Sequence, residues 1–150
     1  MNIIIRKNEK RWGALASELR SLRLSRLFAI KGTVTVFLAD DAFVQDLNST
    51  YRQKHAPTNV LSFANTGPFS DPSVLGDVVL AYETVLGEAT HQNKPMINHC
   101  VHLVVHGILH LLGYDHETDD EAAIMEAKET DALKILGIPD PYIGSLCLNP

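Results

Sequence analysis

Residues 106–116, which read HGILHLLGYDH, constrain the fold and the chemistry of this chain more than any other segment. The sequence around them, from about residue 96 to 112, is apolar almost all round, which is typical of a buried helix. Gly113 is placed to end that helix in the left-handed conformation. His106 and His110 are four residues apart, so on a helix they share one face, with β-carbons within about 6 Å.

The chain reversal at Gly113 can bring His116 to the same point as the two helical histidines. Imidazole nitrogens that converge in this way bind zinc at about 2.0–2.1 Å. A structural zinc site is normally closed by four ligands, often cysteines, and neither cysteine of this chain is spaced to complete the set. The sequence therefore predicts one zinc ion per chain, held by His106, His110 and His116. The zinc ion would keep one coordination position open for water, and zinc lowers the pKa of bound water to about 7.

Gly107 distinguishes this motif from that of the metzincin proteases, which have histidines and glycine on the same grid, H-E-x-x-H-x-x-G-x-x-H. Those enzymes have a glutamate at the second position, which a peptidase needs to move a proton to a poor amine leaving group. Cleavage of a phosphodiester depends more on charge stabilisation and in-line positioning, which zinc and an arginine supply. We therefore expect a metzincin-like metal helix with a phosphodiester substrate.

The other histidines have less specific interpretations. His99 and His102 extend the helical face of the motif and are predicted to be packing or outer-shell groups, whereas His55 and His91 are predicted at the surface. Asp115 has two open interpretations, since it can orient a metal ligand through a hydrogen bond on the side away from the metal, or it can cap the turn.

The charge is unevenly distributed along the chain. Residues 1–54 contain ten Lys/Arg and five Asp/Glu, which gives +5, whereas the other 96 residues contain three Lys/Arg and thirteen Asp/Glu, which gives −10. A local basic segment can meet a polyanion even in an acidic protein, because charges are screened beyond roughly 8 Å. The same arginines can equally form the solvated face of a helix.

Composition indicates a protein of the cytoplasm. No apolar run is long enough to span a bilayer, and the N-terminus MNIIIRKNEK does not read as a signal peptide. Cys100 and Cys147 form no disulfide framework, so we expect reduced thiols, no disulfides and no membrane association.

Periodicity along the chain predicts a single mixed α/β domain over residues 1–150, with a possible irregular tail over 138–150. Helical patterns include one over 8–28, where Arg20, Arg23 and Arg26 recur every third residue and would form a stripe. Strands are predicted at NIIIR, TVTVFLA, NVLSFAN and VLGDVVLAY. Four further helices are predicted: from Asp40 or Asp41 to about Tyr51, over 82–93, over 96–112, and from a capping box at 118–121 to about Leu136.

The motif residues resemble those of the YbeY family, whose signature is similar to H-G-x-L-H-L-x-G-Y-D-H. Residues 106–116 match it at every fixed position. LNSTYRQKHAPTNVLSF (47–63) and LGDVVLA (75–81) resemble two further blocks, and the helix that contains Met125 and Glu129 also fits. The resemblance covers about residues 35–138. His55 departs from it, because an acidic residue is frequent at that place in the family.

The resemblance implies a compact α/β domain with a small mixed β-sheet packed with helices. It also implies a cytoplasmic, single-strand-specific, metal-dependent endoribonuclease that acts in 16S rRNA 3′-end maturation and in ribosome quality control. Its implied partners are single-stranded rRNA and the small ribosomal subunit. The zinc ligands of the family fall on His106, His110 and His116, and its functional arginine falls on Arg52. The predicted catalytic residues are therefore Arg52 and His106.

Three functions remain open on the sequence alone. The first, which the resemblance favours, is a zinc-dependent RNA phosphodiesterase. A ribosome- or RNA-binding assembly factor with a mainly structural metal is the main alternative. A metallopeptidase that works without the glutamate is the third, and Gly107 argues against it.

Overall fold

The fold is built on a four-stranded mixed sheet. The computed structural model describes residues 1–52, 58–66 and 68–142, with only the backbone of Arg52. The strands are β1 (Asn2–Lys7), β2 (Thr33–Ala39), β3 (Val60–Ala64) and β4 (Val74–Ala81). The α-helices are α1 (Gly13–Ser21), α2 (Asp41–Arg52), α3 (Tyr82–His91), α4 (Met96–Leu111) and α5 (Asp119–Ile135).

The strand order is β1-β2-β4-β3, so β1 and β3 are the edges of the sheet. β2 pairs in parallel with both β1 and β4, and β3 pairs antiparallel with β4. The sequence prediction of an α/β fold with a small mixed sheet is confirmed.

Side chains of alternate strand residues point to opposite faces of the sheet, and each face carries its own apolar cluster. The larger cluster joins Val36 of β2 and Val78 of β4 to residues of α1, α4 and α5, such as Val104 and Met125. The smaller cluster, which includes Val79, lies on the other face under α2. α4, which carries the histidine motif, is thereby packed against the larger face and is buried along most of its length.

Most of the predicted elements are confirmed, and their caps are visible. Asp40 Oδ1 accepts a hydrogen bond from Phe43 N at 2.9 Å, at the start of α2. Thr118 Oγ1 accepts one from Glu121 N at 3.1 Å, as the predicted capping box requires. Gly113 has a positive φ of 100° directly after α4.

The predicted helix over 8–28 is wrong in extent. Only α1 is α-helical in this region, and single 3-10 turns lie on either side of it, at Lys10–Trp12 and Leu24–Leu27. Arg23 has a φ of 52°, which turns the chain and lets Leu24 and Phe28 reach the core. The arginine stripe therefore does not form, because Arg23 and Arg26 lie beyond the end of α1.

No helix in the described ranges is both long and apolar enough to cross a membrane. Cys100 is a free, buried thiol, and burial raises its pKa to about 12. Cys147 and His55 lie outside the described residues. The boundary of the single domain at 1–150 and the irregular tail over 138–150 stay predictions.

Candidate metal centre

Two histidines of α4 face each other at its C-terminal end. The Nε2 atoms of His106 and His110 lie 3.1 Å apart, and their ring centroids are 4.6 Å apart. This is the juxtaposition expected from a spacing of four residues on one helix.

The turn after α4 returns His116 to the same place. Gly113 N donates to His110 O and Tyr114 N donates to Leu109 O, both at 3.0 Å, which closes the end of the helix. The ring of His116 then lies 5.4 Å from that of His106 and 5.0 Å from that of His110, centroid to centroid. One ligand nitrogen from each of the three histidines lies within 4.8 Å of the others. The structure thus brings together the three predicted ligands.

The other ring nitrogens of the two helical histidines face away from this point and are hydrogen-bonded. Nδ1 of His110 is 3.0 Å from the carbonyl oxygen of Tyr114, and a carbonyl only accepts, so the proton of His110 lies on Nδ1. Nδ1 of His106 donates in the same way to the carboxylate of Glu129. Both Nε2 lone pairs are therefore free to point to a shared ion, as a zinc site requires.

Glu129 is fully buried behind His106, on α5. Its Oε1 accepts from His106, and its Oε2 accepts from the hydroxyl of Tyr142 and lies 3.5 Å from Nε2 of His102. Burial alone raises the pKa of this carboxyl, but the hydrogen bonds from His102, His106 and Tyr142 outweigh it and hold the pKa at about 2. Glu129 is thus an ionised group that fixes the orientation of the His106 ring.

His110 is held in the form that binds metal. Burial lowers its pKa, and the neighbouring His106 imidazole lowers it further. A neutral imidazole is the form that coordinates a cation. Three neutral nitrogen donors on one ion fit zinc and related first-row metals, so the residues present fit the implied group.

Gly107 faces the sheet rather than the centre. A β-carbon at this position would lie 2.7 Å from Cγ1 of Val78 and 3.0 Å from Oγ of Ser62. Ser62 Oγ also donates to the Gly107 carbonyl at 3.1 Å, which fixes α4 against β3. A glutamate has no room here, so the difference from the protease motif follows from how closely this helix packs.

The remaining predicted groups have defined places. Asp115 Oδ1 accepts from His116 N at 2.8 Å, which fits the turn-capping interpretation. His99 contacts Glu88 at 2.9 Å and His102 contacts Glu129, so both lie outside the ligand set, as expected. His91 is exposed at the end of α3.

Comparison with known proteins gives the family. A family model described as "Endoribonuclease YbeY" matches residues 5–137 of the chain. The chain belongs to the YbeY family. The resemblance seen in the motifs is therefore confirmed, and the match extends across the N-terminal region, where the motifs were weaker.

Individual relatives agree with this assignment to the YbeY family. An endoribonuclease YbeY of Paramagnetospirillum magneticum is 56% identical over 115 residues, which cover 73% of this chain and 70% of that protein. One of Magnetococcus marinus is 50% identical over 121 residues, with 73% and 82% covered. The solution structure of a Thermotoga maritima protein has a TM-score of 0.58 at 27% identity, and covers 99% of this chain and 93% of that one.

Two groups of this YbeY-family site were missed as functional residues. The resemblance includes Glu129 only as part of a matching helix, and no sequence pattern indicates Tyr142. A signal for Glu129 was present, because it shares the buried stripe of α5 with Met125, Ala132 and Leu133. A carboxylate in such a stripe is rarely buried without a partner. Arg52 is the last residue of α2, and its side chain lies outside the described part.

Replacement of Glu129 by glutamine tests its role in the metal centre. The amide keeps the shape but not the charge, so we expect zinc affinity to fall about 10- to 100-fold. The measurement is a zinc competition titration with a chromophoric chelator. Glu126→Gln, on the exposed side of the same helix, is the control and should bind zinc like the wild type. Equal affinities of Glu129→Gln and wild type would show that the buried carboxylate does not support the ligand.

Proposed function

We propose that this chain is a zinc-dependent endoribonuclease that cleaves single-stranded RNA. The observation that carries the proposal is the convergence of the Nε2 atoms of His106 and His110 beside His116, in a chain of the YbeY family. The two named relatives described above are both endoribonucleases. When bound by the three histidines, zinc supplies a Lewis acid and lowers the pKa of a coordinated water to about 7.

The residues of the chain orient this chemistry. Glu129 holds the ring of His106 and the Tyr114 carbonyl holds that of His110, so neither ring needs to reorganise when the substrate binds. Both oxygens of Glu129 are occupied behind the ligands, and position 107 is packed against the sheet. Position 107 therefore supplies no carboxylate where a metzincin has its base, which suits a substrate whose phosphate brings its own charge.

Arg52 is proposed as the residue that holds a phosphate oxygen of the substrate. Its support is the match of the Tyr51–Arg52 pair to the arginine block of the family, and its place at the end of α2. A guanidinium can hold a phosphate through two parallel hydrogen bonds. Together with His106, it forms the proposed catalytic pair.

The biological setting is proposed from family membership. We propose that the RNA is the 3′ end of 16S rRNA, that the partner is the small ribosomal subunit, and that the protein acts in the cytoplasm in rRNA maturation and ribosome quality control. The net charge of +5 over residues 1–54 supports an approach to RNA.

Removal of the metal tests the central step. Protein stripped by chelation should lose cleavage of a single-stranded rRNA 3′-end fragment and regain it when zinc is added. His110→Ala should cleave more than about 100-fold more slowly, since loss of an outer partner alone costs about 10- to 100-fold. The readout is the rate of product formation on a sequencing gel.

The matched control is His91→Ala, which removes an exposed histidine at the end of α3. It should cleave like the wild type. If His110→Ala cleaves as fast as His91→Ala, the activity belongs to a contaminating nuclease. If the zinc-loaded wild type binds RNA but never cleaves it, an assembly factor with a structural metal is the better account.

Arg52→Lys tests the phosphate contact. Lysine keeps the charge but cannot bind a phosphate in the bidentate geometry of a guanidinium, so we expect kcat/KM to fall about 10-fold or more. Zinc affinity should not change, because Arg52 is not a ligand. Arg26→Lys, at an exposed arginine beyond α1, is the control. Unchanged cleavage by Arg52→Lys, or a loss of zinc affinity, would contradict the proposed role.

A further inference from the structure

A groove of about 320 Å³ lies on the face of the sheet opposite α4, between the sheet and α2. Its lining includes four aromatic rings, those of Phe37, Phe43, Tyr51 and Phe63. One acidic side chain, Asp77, also lines it, and we call this feature the Asp77 groove. The metal centre does not use it.

The aromatic rings of the groove are open to solvent at one side. Tyr51 is 68% exposed and Phe43 is 41% exposed. The ring of Tyr51 meets that of Phe63 edge-on, at 5.7 Å between centroids and an interplanar angle of 69°. Large exposed aromatic rings beside an apolar floor are typical of a surface on which bases stack, because every base has a π face.

Asp77 supplies a polar group in otherwise apolar surroundings. It lies in the middle of β4, directly opposite Phe63 of β3. Within the described ranges its carboxyl makes no hydrogen bond or ion pair. Partial burial raises its pKa, which reflects the cost of leaving the charge without a partner. A donor group brought by a ligand would relieve this cost, and the amino group of a base is such a donor.

The Asp77 groove and the metal centre share the edge strand β3. Ser62 and Phe63 are consecutive, so their side chains point to opposite faces of the sheet. Phe63 lines the groove, whereas Ser62 donates to the carbonyl of Gly107, the residue after His106. An RNA strand that passes over this edge can therefore meet both sites.

We propose that the Asp77 groove binds one unpaired RNA base that has an exocyclic amino group, stacked on Tyr51 and donating to Asp77. The inference rests on the proposed function, since it assigns a base-recognition subsite to the same substrate. It predicts a preference for cytosine over uracil, because cytosine presents an amino donor where uracil presents a carbonyl.

Fluorescence anisotropy with labelled oligodeoxynucleotides tests this directly. Oligomers of deoxycytidine and of deoxyuridine carry the two bases on a backbone that an endoribonuclease does not cleave. We expect the zinc-loaded wild type to bind the cytosine oligomer at least about fivefold more tightly. Asp77→Asn should bind both with similar affinity, because an amide can serve either base.

Variants of Tyr51 test the stacking surface. Tyr51→Ala should weaken binding of the cytosine oligomer about fivefold or more, and Tyr51→Phe, which keeps the ring, should restore it. Phe69→Ala is the matched control, since Phe69 is 99% exposed and outside the groove. Circular dichroism of each variant confirms that the fold is retained.

Several results would overturn the inference. They are equal binding of the two oligomers by the wild type, retained preference in Asp77→Asn, and wild-type binding by Tyr51→Ala. A dimer in solution that Tyr51→Ala dissociates would assign the groove to a second copy of the chain. Cleavage of single-stranded RNA by the zinc-loaded wild type is measured in parallel. Cleavage without a base preference refutes the groove alone, and absence of cleavage refutes the proposed function.

Discussion

The hydrogen bond between His106 and the buried carboxylate of Glu129 is the contact on which the candidate metal centre depends. It joins α4 to α5, fixes the proton of His106 on Nδ1 and turns Nε2 towards His110 and His116. The burial of Glu129 disfavours its charge, and three hydrogen-bonding side chains overcome that effect. The orientation of the ligand is therefore built into the packing of two helices, before any metal binds.

The close approach of α4 to the sheet decides which chemistry the motif can perform. At Gly107 the helix backbone lies against Val78 and Ser62, with no space for a side chain. The position that carries the base in a protease is thus part of the core here. This arrangement retains the three histidines without a carboxylate at position 107, in agreement with the anionic substrate that we propose.

The sequence predicted the fold and the grouping of the three histidines because their signals are local. A four-residue spacing on a helix, a glycine after its end and a capping threonine act over a few residues, and each is found where expected. The predicted extent of the N-terminal helix, residues 8–28, was wrong. Burial of Leu24 and Phe28 is a tertiary effect, and it favours a left-handed conformation at Arg23 over a continued helix. The buried stripe of α5 signals only that Glu129 is buried, and no local pattern reveals its contacts with His106 and Tyr142.

X-ray absorption spectroscopy of the zinc-loaded chain tests the central claim, that His106, His110 and His116 form an open zinc site in which hydrogen bonds orient the first two rings. The account predicts three imidazole nitrogens and one further light atom at about 2.0–2.1 Å, without sulfur. A sulfur scatterer at about 2.3 Å, or a shell with fewer than three imidazoles, would contradict it.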